Sequence, residues 1–119
     1  MWIMLNDSFV SIVRKRGEKD LTVRARIKGD LERLFPECKG NVTEDGGTDY
    51  KYRTTVTAER AADVIADRVR DIKYDNFKNT VKDLARHDAY LNVWSAMFTY
   101  QQRQNPLMRF ASDRQTALY

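Results

Sequence analysis

Seven consecutive residues, Leu21-Thr22-Val23-Arg24-Ala25-Arg26-Ile27, alternate apolar and polar without interruption. A strand is the element whose side chains change face at every residue, so Leu21, Val23, Ala25 and Ile27 are assigned to one face and Thr22, Arg24 and Arg26 to the other. Such a strand needs neighbours, and the N-terminal third supplies them. Residues 2–5 are a short apolar run, Asn6-Asp7-Ser8 carries turn chemistry, and residues 9–13 resume with aromatic and β-branched side chains. A second break at residues 17–20 leads into the alternating run. Connections this short cannot make a parallel crossover, so the spacing predicts an antiparallel meander. Residues 49–57 return to strand, with Tyr50, Tyr52 and Val56 on one face and Lys51, Arg53 and Thr55 on the other.

Helical signals punctuate the rest. Gly29-Asp30 opens a short helix in which Leu31, Leu34 and Phe35 share a face, and Pro36 ends it. Residues 36–48 form a polar connector containing Cys38, which reads as an ordinary exposed thiol between Glu37 and Lys39. Thr57 is placed to cap a helix over residues 58–72 with Ala61, Ile65, Val69 and Ile72 as its apolar stripe. After an aromatic and amide-rich connector, Thr80 and Asp83 have capping-box spacing, and a last helix is expected over residues 81–98 with Leu84, Leu91, Trp94 and Phe98 on one face. The expected architecture is α+β: an antiparallel sheet of about four strands with three helices packed mainly on one face. Residues 1–100 are expected to form one domain and residues 101–119 a C-terminal extension interrupted by Pro106.

With 42% hydrophobic and 32% charged residues in 119, the chain has the profile of a folded domain. Its longest unbroken apolar run, residues 1–5, is too short to span a bilayer. No basic flank precedes a signal-like apolar stretch, and the lone Cys38 cannot form an internal disulfide, which fits a reducing cytoplasm. The net charge of +4 divides as +2 on either side of Arg60, a mild bias toward anionic partners with no basic arm.

Catalytic chemistry is thinly represented. Cys38 and His87 are single and distant in sequence, no base and orienter accompany them, and His87 and Asp88 diverge by about 100° on a helix. The chain therefore reads as a non-enzyme. Asp63, Asp67 and Asp71 recur every four residues; oxygen ligation of a divalent cation is one reading, and pairing with Arg60, Arg68 and Arg70 is the expected one. No zinc cluster and no glycine-rich phosphate loop occurs, and no cofactor is expected.

Two constellations carry more information. Arg24, Arg26, Lys51 and Arg53 fall on the polar sides of their strands, where planar guanidinium forks would suit phosphate oxygens unless Glu44, Asp45, Asp49 or the acidic helix face neutralises them. Tyr74, Asn76, Phe77 and Asn79, followed by Tyr90, Asn92 and Trp94, combine flat rings with amides, the ingredients of a base site; Trp94 and Phe98 at helical spacing read first as core.

Met1-Trp2 with residues 9–13, Leu21-Thr22-Val23-Arg24-Ala25-Arg26, Thr48-Asp49-Tyr50, Asp75-Asn76-Phe77-Lys78 and Val93-Trp94-Ser95 together resemble a group of small bacterial and prophage proteins. The chain also looks like the phage anti-Thoeris proteins that sequester cyclic ADP-ribose isomers. That resemblance implies an oligomeric, non-catalytic protein that buries a nucleotide between an aromatic ring, an amide and arginines, a recipe that falls on Arg53, Phe77, Asn92 and Arg109. The expectation is thus a phage or prophage counter-defence protein that sequesters a small cyclic nucleotide as a homo-oligomer in the host cytoplasm, its site drawn from Arg24, Arg26, Arg53, Asn76, Phe77, Asn92 and Arg109. Two alternatives stand beside it: inhibition of a defence complex by protein–protein contact, as an anti-CRISPR does, and direct nucleic-acid binding through the basic sheet face.

Overall fold

The alternating run becomes the central strand of a five-stranded antiparallel sheet. Its strands are β1 (Trp2–Met4), β2 (Phe9–Val13), β3 (Leu21–Ala25), β4 (Thr43–Glu44) and β5 (Tyr52–Val56), in the spatial order β1-β2-β3-β5-β4. The computed structural model describes residues 1–45 and 47–105. These belong to two compact units, Met1–Thr80 and Val81–Tyr119.

The sheet is an α+β framework with the expected meander and one strand more than expected. The addition is β4, two polar residues inside the connector, formed because Thr43 and Glu44 pair with Arg53 and Tyr52 at the sheet edge. No hydrophobic pattern marks a strand so short. In the other direction, β3 stops at Ala25 and β5 starts at Tyr52, a cross-strand pair at the end of the ladder. Ile27 therefore leaves the apolar face, and its side chain is exposed.

Helix α1 (Asp30–Leu34) starts at Gly29, whose φ of 95° suits glycine and where a Cβ would lie 2.9 Å from Arg33 Nη1. The buried Asp30 carboxylate ties this corner down. It accepts from the Phe9 N–H at 3.0 Å and pairs with Arg33, while Ser8 Oγ donates to the Asp30 carbonyl. Leu31, Leu34 and Phe35 enter the core as expected. The 3₁₀ turn Pro36–Cys38 then directs Cys38 inward, leaving it 4% exposed, so the exposed-thiol expectation is overturned.

Thr57 caps α2 (Ala58–Arg70), its Oγ1 accepting from the Arg60 N–H at 3.1 Å, a bond whose loss costs about 1 kcal/mol. The buried positions of α2 are Ala61 and Val64; Ile65 is half-buried, and Val69 and Ile72 are exposed. The contact is made by an i, i+3 pair in the first half of the helix, and the expected stripe winds away from it. Val10, Val23, Ala25 and Val56 from the sheet join Leu31, Leu34, Phe35, Cys38, Ala61 and Val64 in one core.

In the second unit, α3 (Leu84–Arg103) begins three residues later and ends five later than expected. The capping box does not form. Thr80 instead closes the 3₁₀ turn Lys78–Thr80, its Oγ1 donating to the Phe77 carbonyl at 2.6 Å, and Asp83 is an N-cap without a side-chain bond. Leu84, Trp94 and Phe98, expected in a core stripe, are exposed. No helix among the described residues is long and apolar enough to cross a membrane.

Candidate anion-binding site

Arg24 on β3 and Arg53 on β5 are direct cross-strand partners. Opposed residues in an antiparallel pair hold their Cβ atoms about 4.5–5.5 Å apart, so like charges at such a position repel. Both side chains are half-buried, and the Nε of each is shielded from solvent with no hydrogen-bond partner. An unmet buried donor carries its full desolvation penalty, on the order of 1–3 kcal/mol. The arrangement is costly as it stands, and an acceptor with negative charge would relieve both terms.

Neighbours hold the guanidinium groups in place. Ser11, opposite Arg24 on β2 and 1% exposed, accepts from Arg24 Nη2 through its Oγ at 2.8 Å. The Tyr50 ring receives the guanidinium carbons of Arg24 and Arg26 at 4.5 and 4.1 Å from its centroid, contacts that favour a cation over an aromatic face. Arg26 Nη1 also donates to the Asp49 carbonyl at 2.6 Å. Along the same strands Thr22 opposes Thr55, and these two line a recess of about 250 Å³ with Lys15, Glu18, Lys19 and Asp20.

Two of the acids expected to neutralise this face are engaged elsewhere: Glu44 pairs with Lys51 at 3.3 Å, and the Asp45 carboxylate accepts from the Gly47 N–H. Asp49 meets Arg26 through its backbone carbonyl. On α2, Asp67 pairs with Arg70 at 3.2 Å, while Arg60 and Arg68 reach out to Glu37 and Asp7. Among the described residues, no carboxylate pairs with Arg24, Arg26 or Arg53. Nor do three or more His, Cys, Asp or Glu side chains group to hold a metal ion there.

The structure thus brings Arg24, Arg26 and Arg53 together on one side of the sheet. Lys51, expected beside them, is exposed and paired with Glu44. Asn76 and Phe77 lie after α2: the Asn76 Oδ1 accepts from the Asn79 N–H, and Phe77 is half-buried with its ring tilted against Tyr74 at 6.0 Å. Asn92 is exposed on α3 in the second unit. Arg109 lies outside the described residues. The aromatic that sequence reasoning misplaced is Tyr50. Extending the alternation of β5 backwards puts it on the core face with Tyr52; because β5 starts at Tyr52, Tyr50 is released from that pattern and its buried ring meets the arginines.

The surroundings of Cys38 disfavour its thiolate. Burial pushes its thiol pKa up, and the nearby charges of Glu32 and Glu37 act in the same direction. Compared with known protein families, curated proteins and solved structures, the chain matches none.

Proposed function

We propose that this protein binds a small phosphorylated nucleotide and holds it without transforming it, a counter-defence role for a phage or prophage protein that acts as a homo-oligomer in the host cytoplasm. The observation that carries the reading is the Arg24–Arg53 pair, two opposed cations with desolvated Nε donors and no carboxylate partner among the described residues. Arginine forks match the oxygens of a phosphate group, and a charge-assisted bond to a partly buried guanidinium is stronger than a neutral one. The Tyr50 ring already lies against two guanidinium groups, so it serves as their support, and base recognition falls to other residues. The resemblance to the anti-Thoeris proteins favours a cyclic nucleotide as the guest. Retention without chemistry agrees with the buried, protonated Cys38, which is a poor nucleophile.

The test is thermal shift and equilibrium dialysis of the full chain against inorganic phosphate, a cyclic mononucleotide, a cyclic dinucleotide and a cyclic ADP-ribose isomer. Bound material is then released by heat and its mass determined. Binding of at least one nucleotide, recovered unaltered, with affinity reduced at least tenfold by Arg53→Gln, supports the reading. The absence of a shift with every member removes it, and an altered ligand makes the protein an enzyme. A steep salt dependence of binding to mixed-sequence DNA would move the site to nucleic acid instead.

A further inference from the structure

The second half of α3 is unlike the rest of the chain. Residues 89–102 are fourteen consecutive positions without a charge, in a sequence that is 32% charged. Within them Val93, Trp94, Met97, Phe98 and Tyr100 are exposed by 42%, 51%, 60%, 45% and 60%. At about 100° per residue, these five fall within roughly 160° of the helix circumference. Arg86 and Tyr90, on the same arc one to two turns earlier, are buried. Along one helix face, then, the side chains are buried near the start and exposed toward the end. The exposed part is also stiffened: the Trp94 and Phe98 rings stack with centroids 5.3 Å apart and planes 8° from parallel. A pre-ordered aromatic plate loses little side-chain freedom when it is covered.

We infer that this face of α3 seats the same face of a second copy of the chain. Two features select that occupant. The first is charge. An isologous contact brings the patch against the same patch of the other copy, so a net charge on it would face the same net charge across the two-fold axis; a patch with none escapes that repulsion. A strongly charged partner would find no counter-charge there. The second is area. A half-exposed large side chain leaves on the order of 100 Å² open, so the five offer about 500 Å² per copy and about 1,000 Å² in a symmetric pair, the lower bound for a specific interface. Tryptophan, tyrosine and methionine are the side chains enriched at such contacts. The inference rests on the homo-oligomer of the proposed function and gives it a contact face; nucleotide binding is tested separately, at the arginines of the other unit.

Sedimentation velocity of the full chain across the micromolar range tests it. The expected result is a concentration-dependent dimer whose dissociation constant rises at least tenfold with Trp94→Glu and with Phe98→Glu. Both side chains are exposed, and unchanged far-UV circular dichroism will show that the variants fold. Trp2→Glu, the same change at the 74% exposed tryptophan of β1, is the control and leaves dimerisation within twofold of the unsubstituted chain. A monomer throughout the range overturns the inference. So does a dimer indifferent to both α3 substitutions, or one that Trp2→Glu disrupts in their place.

Discussion

The two faces of the sheet are built from the same strands and have opposite physics. On one, Val10, Val23, Ala25 and Val56 meet Leu31, Phe35, Ala61 and Val64, and the gain is the removal of apolar surface from water. On the other, Ser11 and Thr22 are buried and the guanidinium groups of Arg24 and Arg53 stand opposed with desolvated donors. Alternation makes the division possible, because each substitution in β3 or β5 falls on one face and leaves the other untouched. The first face supplies folding free energy. The second contains an arrangement that folding alone does not favour, which is why the proposed site is placed there.

The largest effect tests the first face. Phe35 is fully buried, and Phe35→Ala should lower stability by about 4 kcal/mol in urea unfolding, through lost transfer free energy and the cavity left behind. Ligand affinity per folded molecule should stay unchanged. If phosphate binding falls in proportion to stability, the faces are not independent and the comparison breaks.

A smaller effect of opposite sign is expected on the second face. Arg53→Gln removes one of two opposed like charges, so the ligand-free protein should gain about 0.5 kcal/mol while anion binding is lost. A melting temperature that rises in buffer, and no longer responds to the ligand, would sharpen the division. A loss of more than 1 kcal/mol would make Arg53 a packing residue, its stem covering the sheet.

How far the sequence alone carries to this picture depends on the range of the interactions involved. The faces of β2 and β3 follow from alternation, and the Thr57 cap and the Leu31, Leu34 and Phe35 stripe follow from helical spacing, because each is decided within a few residues. Tyr50 and Ile27 escape because the ladder ends at the Ala25–Tyr52 pair, and nothing in a local pattern says where pairing stops. Cys38 escapes because a single 3₁₀ turn decides which way it faces. In the site, the residue types were legible but their state was not. The sequence holds seventeen acids, and only the tertiary arrangement shows Glu44, Asp45 and Asp67 committed to partners other than Arg24 and Arg53.

The smallest effect contrasts a paired charge on the core side with the unpaired ones opposite. Glu37 in the 3₁₀ turn pairs with Arg60 in the first turn of α2, joining two elements that cover the core. The hydrogen bond from Arg60 holds the Glu37 carboxyl below its ordinary pKa of 4.5, and Glu37 in turn raises that of Arg60. A carboxyl with a depressed folded-state pKa contributes stability that is present above the unfolded value and disappears as pH falls through the folded one. The melting temperature of the native chain should therefore exceed that of Glu37→Gln by a small margin at neutral pH. The margin should close as pH falls below 4.5 and shrink in high salt, because both side chains are about half exposed and screened. A margin that survives full protonation of Glu37 would mean that packing, and not the ion pair, joins the two elements.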